Sequence, residues 1–267
     1  MTDATTPLVC SAAVVAVFAA ARGTWSPCGL SMLSSITPLA ERGRGHRYGS
    51  TAAWFVAGAL TGGLTLGLAA AVLAAGVSAA GPSATTLLAL AGVAAALAAA
   101  SDARLGRFHL PIHRRQVNER WLDQFRPWVY GAGFGWQIGV GLATYIKTAA
   151  VYLTIVLVAL SGDPWAALGV GALFGLARGL AVLLGRRITS FELLTRFHRR
   201  MHELDGPSVA AVVAVEVTTA LLCGWLLSPW AAAIVAVPTA IVAVPTAVVA
   251  LRRARSRLPA RPGAAQT

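Results

Sequence analysis

The string Trp25-Ser26-Pro27-Cys28-Gly29-Leu30 combines a thiol with residues that open a helix. Pro27 has no backbone N–H and interrupts the turn before it. Ser is a good N-cap and Pro suits the first helical position, so the spacing predicts a new helix starting at Ser26–Pro27. Cys28 then stands at an unwound point, reachable from a cavity, where a thiol is placed for redox or nucleophilic chemistry. The plainer reading is a small buried hydrophobe beside a kink. Cys10 and Cys223 read as packing residues. No Cys-x-x-Cys is present and nothing indicates a disulfide framework.

Four ionisable residues, Arg22, Lys147, Arg178 and Glu216, fall in apolar context. Charges at membrane depth are costly and mark functional sites by default. Glu216 is expected to pair with Arg178 or Lys147, which would offset the desolvation of both. The alternatives are a structural ion pair, or Lys147 reaching an interface along its own stem. Arg22 would line the break in the first apolar segment.

Histidines give a further lead. His109 and His113 form one His-x-x-x-His pair, and His198 and His202 another. On a helix such residues share a face and could bind a metal. Pro111 interrupts the first pair, and no acid or Cys stands at the usual zinc spacing. Headgroup anchoring is the favoured reading of both segments, so no metal and no cofactor is expected. No Walker A string, Gly-x-Ser-x-Gly, His-Glu-x-x-His or Rossmann fingerprint occurs.

The elements that must position these residues follow from charge and hydropathy. The 267 residues are 57% hydrophobic and only 12% charged, where soluble domains average roughly 25% charged. Of the 22 Lys and Arg residues, 19 sit in four short stretches: 38–49, 101–127, 186–206 and 252–267. The connections near 76–84, 161–165 and 228–230 carry none. Basic loops stay in the cytoplasm, so this alternation predicts a multi-pass plasma-membrane protein with its N-terminus outside and its C-terminus inside. The net charge of +12 then serves anionic lipid headgroups and not nucleic acid, because it lies beside apolar spans. Met1–Pro7 has no basic residue, so the first span is expected to be retained.

Seven apolar segments qualify as helical spans: 7–37, 50–76, 83–101, 128–161, 164–185, 207–227 and 229–251. Two are too long for a core about 30 Å thick, at about 46 and 51 Å as straight helices. Both carry breakers: Gly23, Pro27 and Gly29 in one, and Gly131, Gly133, Gly135, Gly139 and Gly141 in the other. Gly135 and Gly139 are therefore expected to help shape a site with Trp25, Ser26, Pro27 and Gly29. The string at 23–29 can be laid on 135–141 through Trp25 and Trp136, and Gly58–Gly62 on Gly171–Gly175. The expected architecture is an all-α bundle of about seven helices in an inverted three-plus-three repeat. Residues 1–127 form one half, 128–227 the other, and 228–267 an extra helix with a basic tail.

A first span ending in Ser26-Pro27-Cys28, followed by a short basic loop and a Gly-rich second span, resembles the CcdA/DsbD transmembrane family of cytochrome c biogenesis, within the LysE-like group. The resemblance covers about residues 7–227. It implies that reducing equivalents pass from cytoplasmic thioredoxin to thiol carriers across the membrane, through two membrane cysteines. Cys28 matches the first. The second place falls near Gly139, and no Cys occurs between residues 29 and 222. A dithiol relay needs Cα atoms within about 7 Å. Under the resemblance, Cys28 either works with a partner thiol on a thioredoxin-like or cytochrome-maturation protein, as an electron-transfer protein and not a conventional enzyme, or the chain keeps the fold and has lost the redox role. Two rivals stand beside it: a LysE-like transporter of a small solute or ion with its site at the helix breaks, and a non-catalytic membrane subunit docking through basic loops.

Overall fold

The computed structural model describes residues 2–105, 110 and 121–228. Among them only helices, turns and irregular connections occur. The chain runs through α1 (Thr2–Gly23), α2 (Pro27–Ser35), α3 (Pro38–Gly43), α4 (Tyr48–Ala80), α5 (Ala84–Asp102), the single turn α6 (Trp121–Gln124), α7 (Pro127–Val140), α8 (Ala150–Leu160), α9 (Pro164–Leu180) and α10 (Phe191–Leu227). A 3-10 segment, Ala181–Arg187, extends α9.

Five segments are long and apolar enough to cross a bilayer: Ala4–Gly23, Tyr48–Ala80, Ala84–Asp102, Pro164–Arg187 and Phe191–Leu227. The crossing predicted over 128–161 is made of two shorter pieces, α7 and α8. The seventh predicted span, 229–251, lies outside the described residues. Of the seven predicted spans, five are matched by helices long enough to cross a bilayer among the described residues, and 128–161 is divided between the shorter α7 and α8.

α4 runs between α7 and α9, and its glycines set how close they come. Backbone approaches backbone where no side chain intervenes, which is how helices gain packing energy when burial from water is unavailable. A Cβ on Gly62 would come 2.8 Å from Val140 N, facing α7. One on Gly63 would come 2.6 Å from Gly175 Cα, facing α9. Two apolar cores result. The larger holds Leu8, Val15, Leu153, Leu157 and Phe174, joining α1, α8 and α9. The smaller holds Leu33, Ile36, Phe55, Tyr130, Phe134 and Val182, joining α2, α4 and α7.

Both long segments are broken, at different kinds of place. The first break is the turn Thr24–Ser26, as the sequence predicts. The second begins only at Gly141, whose φ of 73° is left-handed and suits glycine. Gly131, Gly133, Gly135 and Gly139 lie within helical α7 and break nothing. Gly135 and Gly139 instead let α7 lie on α4, where an added Cβ would stand 2.8 Å from Ala59 N or 2.7 Å from Ala59 Cα.

Candidate functional site

The first break has the predicted helix start. Ser26 accepts a hydrogen bond from Gly29 N at 3.1 Å, and Pro27 opens α2. This satisfies one of the N–H groups that a helix start leaves without a partner. Cys28 follows, 4% exposed and outside any disulfide. Gly29 is needed for contact, because a Cβ there would stand 2.5 Å from Thr24 O. Trp25 anchors the turn by donating from Nε1 to Met201 O at 2.7 Å.

Arg178 enters this break from α9. It is 4% exposed, with its guanidinium carbon 5.7 Å from the Phe174 ring centroid. A Cβ on Gly23 would fall 2.6 Å from that carbon. Gly23, Thr24, Gly29, Met32, Ile138 and Arg178 line a small cavity. Cys28 lies near enough to act on Arg178 electrostatically.

Arg22 points to the other side of α1. Its Nη1 meets Asp205 Oδ1 at 2.6 Å and Ser208 Oγ at 2.8 Å, which ties α1 to α10. Half-buried Lys147 lies in the second break, within electrostatic range of both Arg22 and Asp205.

The predicted partner of Glu216 is absent. Glu216 is 0% exposed, and neither carboxylate oxygen has a hydrogen-bond partner among the described residues. Arg178 and Lys147 are placed elsewhere, and neither forms an ion pair with it. Its nearest charged influence is another acid, Asp102. Spacing along a sequence says which helix carries a charge, but not which neighbour that face of the helix will meet.

Among the described residues no group of three or more His, Cys, Asp or Glu side chains comes together to hold a metal. His198 has both ring nitrogens engaged, one with Ser34 Oγ at 2.9 Å and one with Leu194 O at 2.9 Å. His202 is exposed. His109 and His113 lie outside the described residues. Cys223 packs as expected, with its Cβ 3.3 Å from where a Gly92 side chain would begin. Cys10 is instead exposed on α1.

Two acids that the sequence reading passed over organise the bundle. Asp102, at the end of α5, accepts from Ala149 N at 2.8 Å and from Thr148 Oγ1. It therefore caps α8 from a different helix, placing negative charge at a helix start. Glu41 is 0% exposed and fully bonded, to Thr51 Oγ1 at 2.6 Å, Tyr130 Oη at 2.8 Å and Arg44 Nη1 at 2.9 Å. It joins α3, α4 and α7.

Fold and polar centres together define an all-helical protein with five helices long and apolar enough to cross a membrane, with buried Arg178 at the break after α1 and half-buried Lys147 at the break after α7. Comparison with known proteins gives the family. The chain is 30% identical over 207 residues to methylamine utilization protein MauF of Paracoccus versutus, covering 74% of each protein. It is 33% identical over 182 residues to the Paracoccus denitrificans MauF, covering 66% of this chain and 64% of that one. It is 30% identical over 211 residues to the Methylorubrum extorquens MauF, covering 74% and 72%. The chain belongs to the MauF family. No family model matches it, and no solved structure matches it.

These relatives overturn the CcdA/DsbD resemblance and the thiol-transfer role in cytochrome c biogenesis that it implied. Ser26-Pro27-Cys28 encodes a capped helix start, and that start is what the structure shows of it. The three cysteines sit on α1, α2 and α10 with no disulfide among them. The transporter and non-catalytic-subunit readings gain no support from these relatives either.

Proposed function

We propose that this protein serves methylamine utilization from within the cell membrane, as a multi-pass component of that capacity. Its relationship to the Paracoccus versutus protein over 207 residues, 74% of each chain, carries this reading. The five long apolar helices support its place in the membrane.

The finer arrangement we propose puts the N-terminus outside and the basic connections on the cytoplasmic leaflet, against anionic headgroups. Packing supports it, because two of the basic stretches, 38–49 and the one beginning at Arg186, come together at one end of the bundle. Leu39 N donates to Ile188 O at 3.1 Å, and Tyr48 Oη donates to Val182 O at 2.9 Å. These contacts gather Arg42, Arg44, Arg47, Arg186 and Arg187 on one side. The turn at Gly162, which carries no Lys or Arg, approaches Ser78 at the opposite end. In the same reading, 1–127 and 128–227 are inverted halves, each opening with an interrupted crossing, and 229–251 is a seventh span.

The test is an in-frame deletion in the source organism. Growth on methylamine as the sole nitrogen or carbon source should fail, while growth on ammonium or succinate continues. A plasmid copy of the wild-type chain should restore it. Unchanged growth of the deletion strain on methylamine would remove the proposal.

A further inference from the structure

A buried cation with no carboxylate partner among the described residues stands at the break between α1 and α2, where Cys28 is the one group that could carry a negative charge beside it. Arg178 is 4% exposed. Among the described residues no carboxylate lies within ion-pair distance of it, and it makes no hydrogen bond. Helix ends do not supply the missing charge. The C-terminus of α1 carries about half a negative charge and the N-terminus of α2 about half a positive one. The two meet across the three-residue turn Thr24–Ser26, so their effects largely cancel. The Phe174 face, 5.7 Å away, offers a quadrupole but no net charge. A guanidinium removed from water in this way calls for an anion.

There is room for a small one. The cavity beside Arg178 is bounded by Gly23, Thr24, Gly29, Met32 and Ile138. Two of these walls are glycines, and side chains there would run into the guanidinium or into Thr24 O. The space takes about one water-sized particle. A single-atom halide, only somewhat larger than water, is closer to that size than phosphate, sulfate or a carboxylate, which bring several heavy atoms. We propose that this cavity is a binding site for a small inorganic monoanion of chloride size, held by Arg178 where α9 meets the α1–α2 turn. The bound ion neutralises the guanidinium and fastens α9 to the break. The site is independent of the role in methylamine utilization.

The experiment uses the full chain purified in detergent, with melting followed in sodium chloride, sodium bromide and sodium gluconate at constant ionic strength. Chloride and bromide should raise the melting temperature saturably relative to gluconate, which is too large for the cavity. Arg178→Gln should melt at the same temperature in all three salts. Where that variant fails to fold, crystals of the wild type grown in bromide decide the matter, with an anomalous peak expected beside the guanidinium. Three outcomes overturn the proposal: equal melting of the wild type in halide and gluconate, a halide effect that survives in Arg178→Gln, or bromide crystals with no peak at Arg178. Cys28→Ser gives the first of these its cause: if the wild type is indifferent to halide and that variant becomes halide-dependent, the thiolate is the internal anion and the proposal falls.

Discussion

Glu216 sets the sharpest question at the scale of single residues, because both its oxygens are buried and find no partner among the described residues. A buried polar group without a partner costs about 1–3 kcal/mol, and replacing it with an apolar group of similar shape removes that cost. Glu216→Met is therefore expected to melt at or above the wild-type temperature when the purified protein is heated in detergent. A clear fall would mean that the carboxylate has a partner beyond the described residues. Arg22 and Asp205 should behave in the opposite way. Their 2.6 Å contact joins a guanidinium that is 6% exposed to a carboxylate that is 45% exposed. Removing the acid leaves the guanidinium uncompensated, whereas removing both charges does not. Solvent reaches the Asp205 side, so Asp205→Ala should cost about 1–2 kcal/mol, less than a fully buried pair would lose. The double variant Arg22→Met with Asp205→Ala should cost less than the sum of the single changes, as a double-mutant cycle of melting temperatures would reveal. Additive losses would mean that the contact contributes nothing.

Between elements, the decisive surface is the crossing of α4 with α9. Gly63 meets the backbone of Gly175 there, and backbone atoms cannot rotate away as side chains can. Gly63→Leu should cost at least about 3 kcal/mol, the upper end of overpacking penalties, and should appear as aggregation or early melting on size-exclusion chromatography. Gly76 lies on the same helix with nothing near its missing Cβ. Gly76→Ala should instead stabilise by about 0.5–1 kcal/mol by restricting the unfolded chain. Equal responses at the two positions would contradict the α4–α9 packing. This contrast also explains why the sequence misled at α7. Glycine serves both as a helix breaker and as a seat for a neighbouring backbone, and composition alone cannot separate the two. Gly141 breaks the segment, while Gly135 and Gly139 make room for Ala59. Ser26-Pro27 was legible because a cap acts within four residues of chain, as the bond to Gly29 N confirms. Asp102 and Glu41 escaped notice because their partners, Ala149 and Tyr130, lie on other helices. A short motif likewise carries local geometry further than it carries chemistry, so the Cys28 string gave the helix start and the wrong family.

At the scale of the whole molecule, bilayer and charge were read from sequence more securely than any site, because they sum over many residues. A span integrates about 20 side chains, and single exceptions such as Arg178 do not change its sign. The same summation yields a topology that can be measured loop by loop. Fusions of alkaline phosphatase, active only outside the cytoplasm, and of green fluorescent protein, fluorescent only inside it, should give reciprocal signals. After Gly45, beside Arg42 and Arg44, and after Thr189, beside Arg186 and Arg187, the fluorescent protein should report. After Gly81 and after Gly162, where the chain turns without a basic residue, the phosphatase should report. The Gly162 fusion carries the most weight, because it tests whether α7, the irregular stretch from Gly141 and α8 together make one crossing. Two pieces of 14 and 11 residues are each too short to span alone at 1.5 Å per residue, but end to end they reach from the basic side to the Ser78 end of α4. A fluorescent signal after Gly162 would mean that the divided segment turns back within the membrane, and it would place α9 and α10 in the opposite orientation. Adding a pair of arginines beside Gly162 should weaken the phosphatase signal there while leaving the Gly45 fusion unchanged, since basic residues resist translocation.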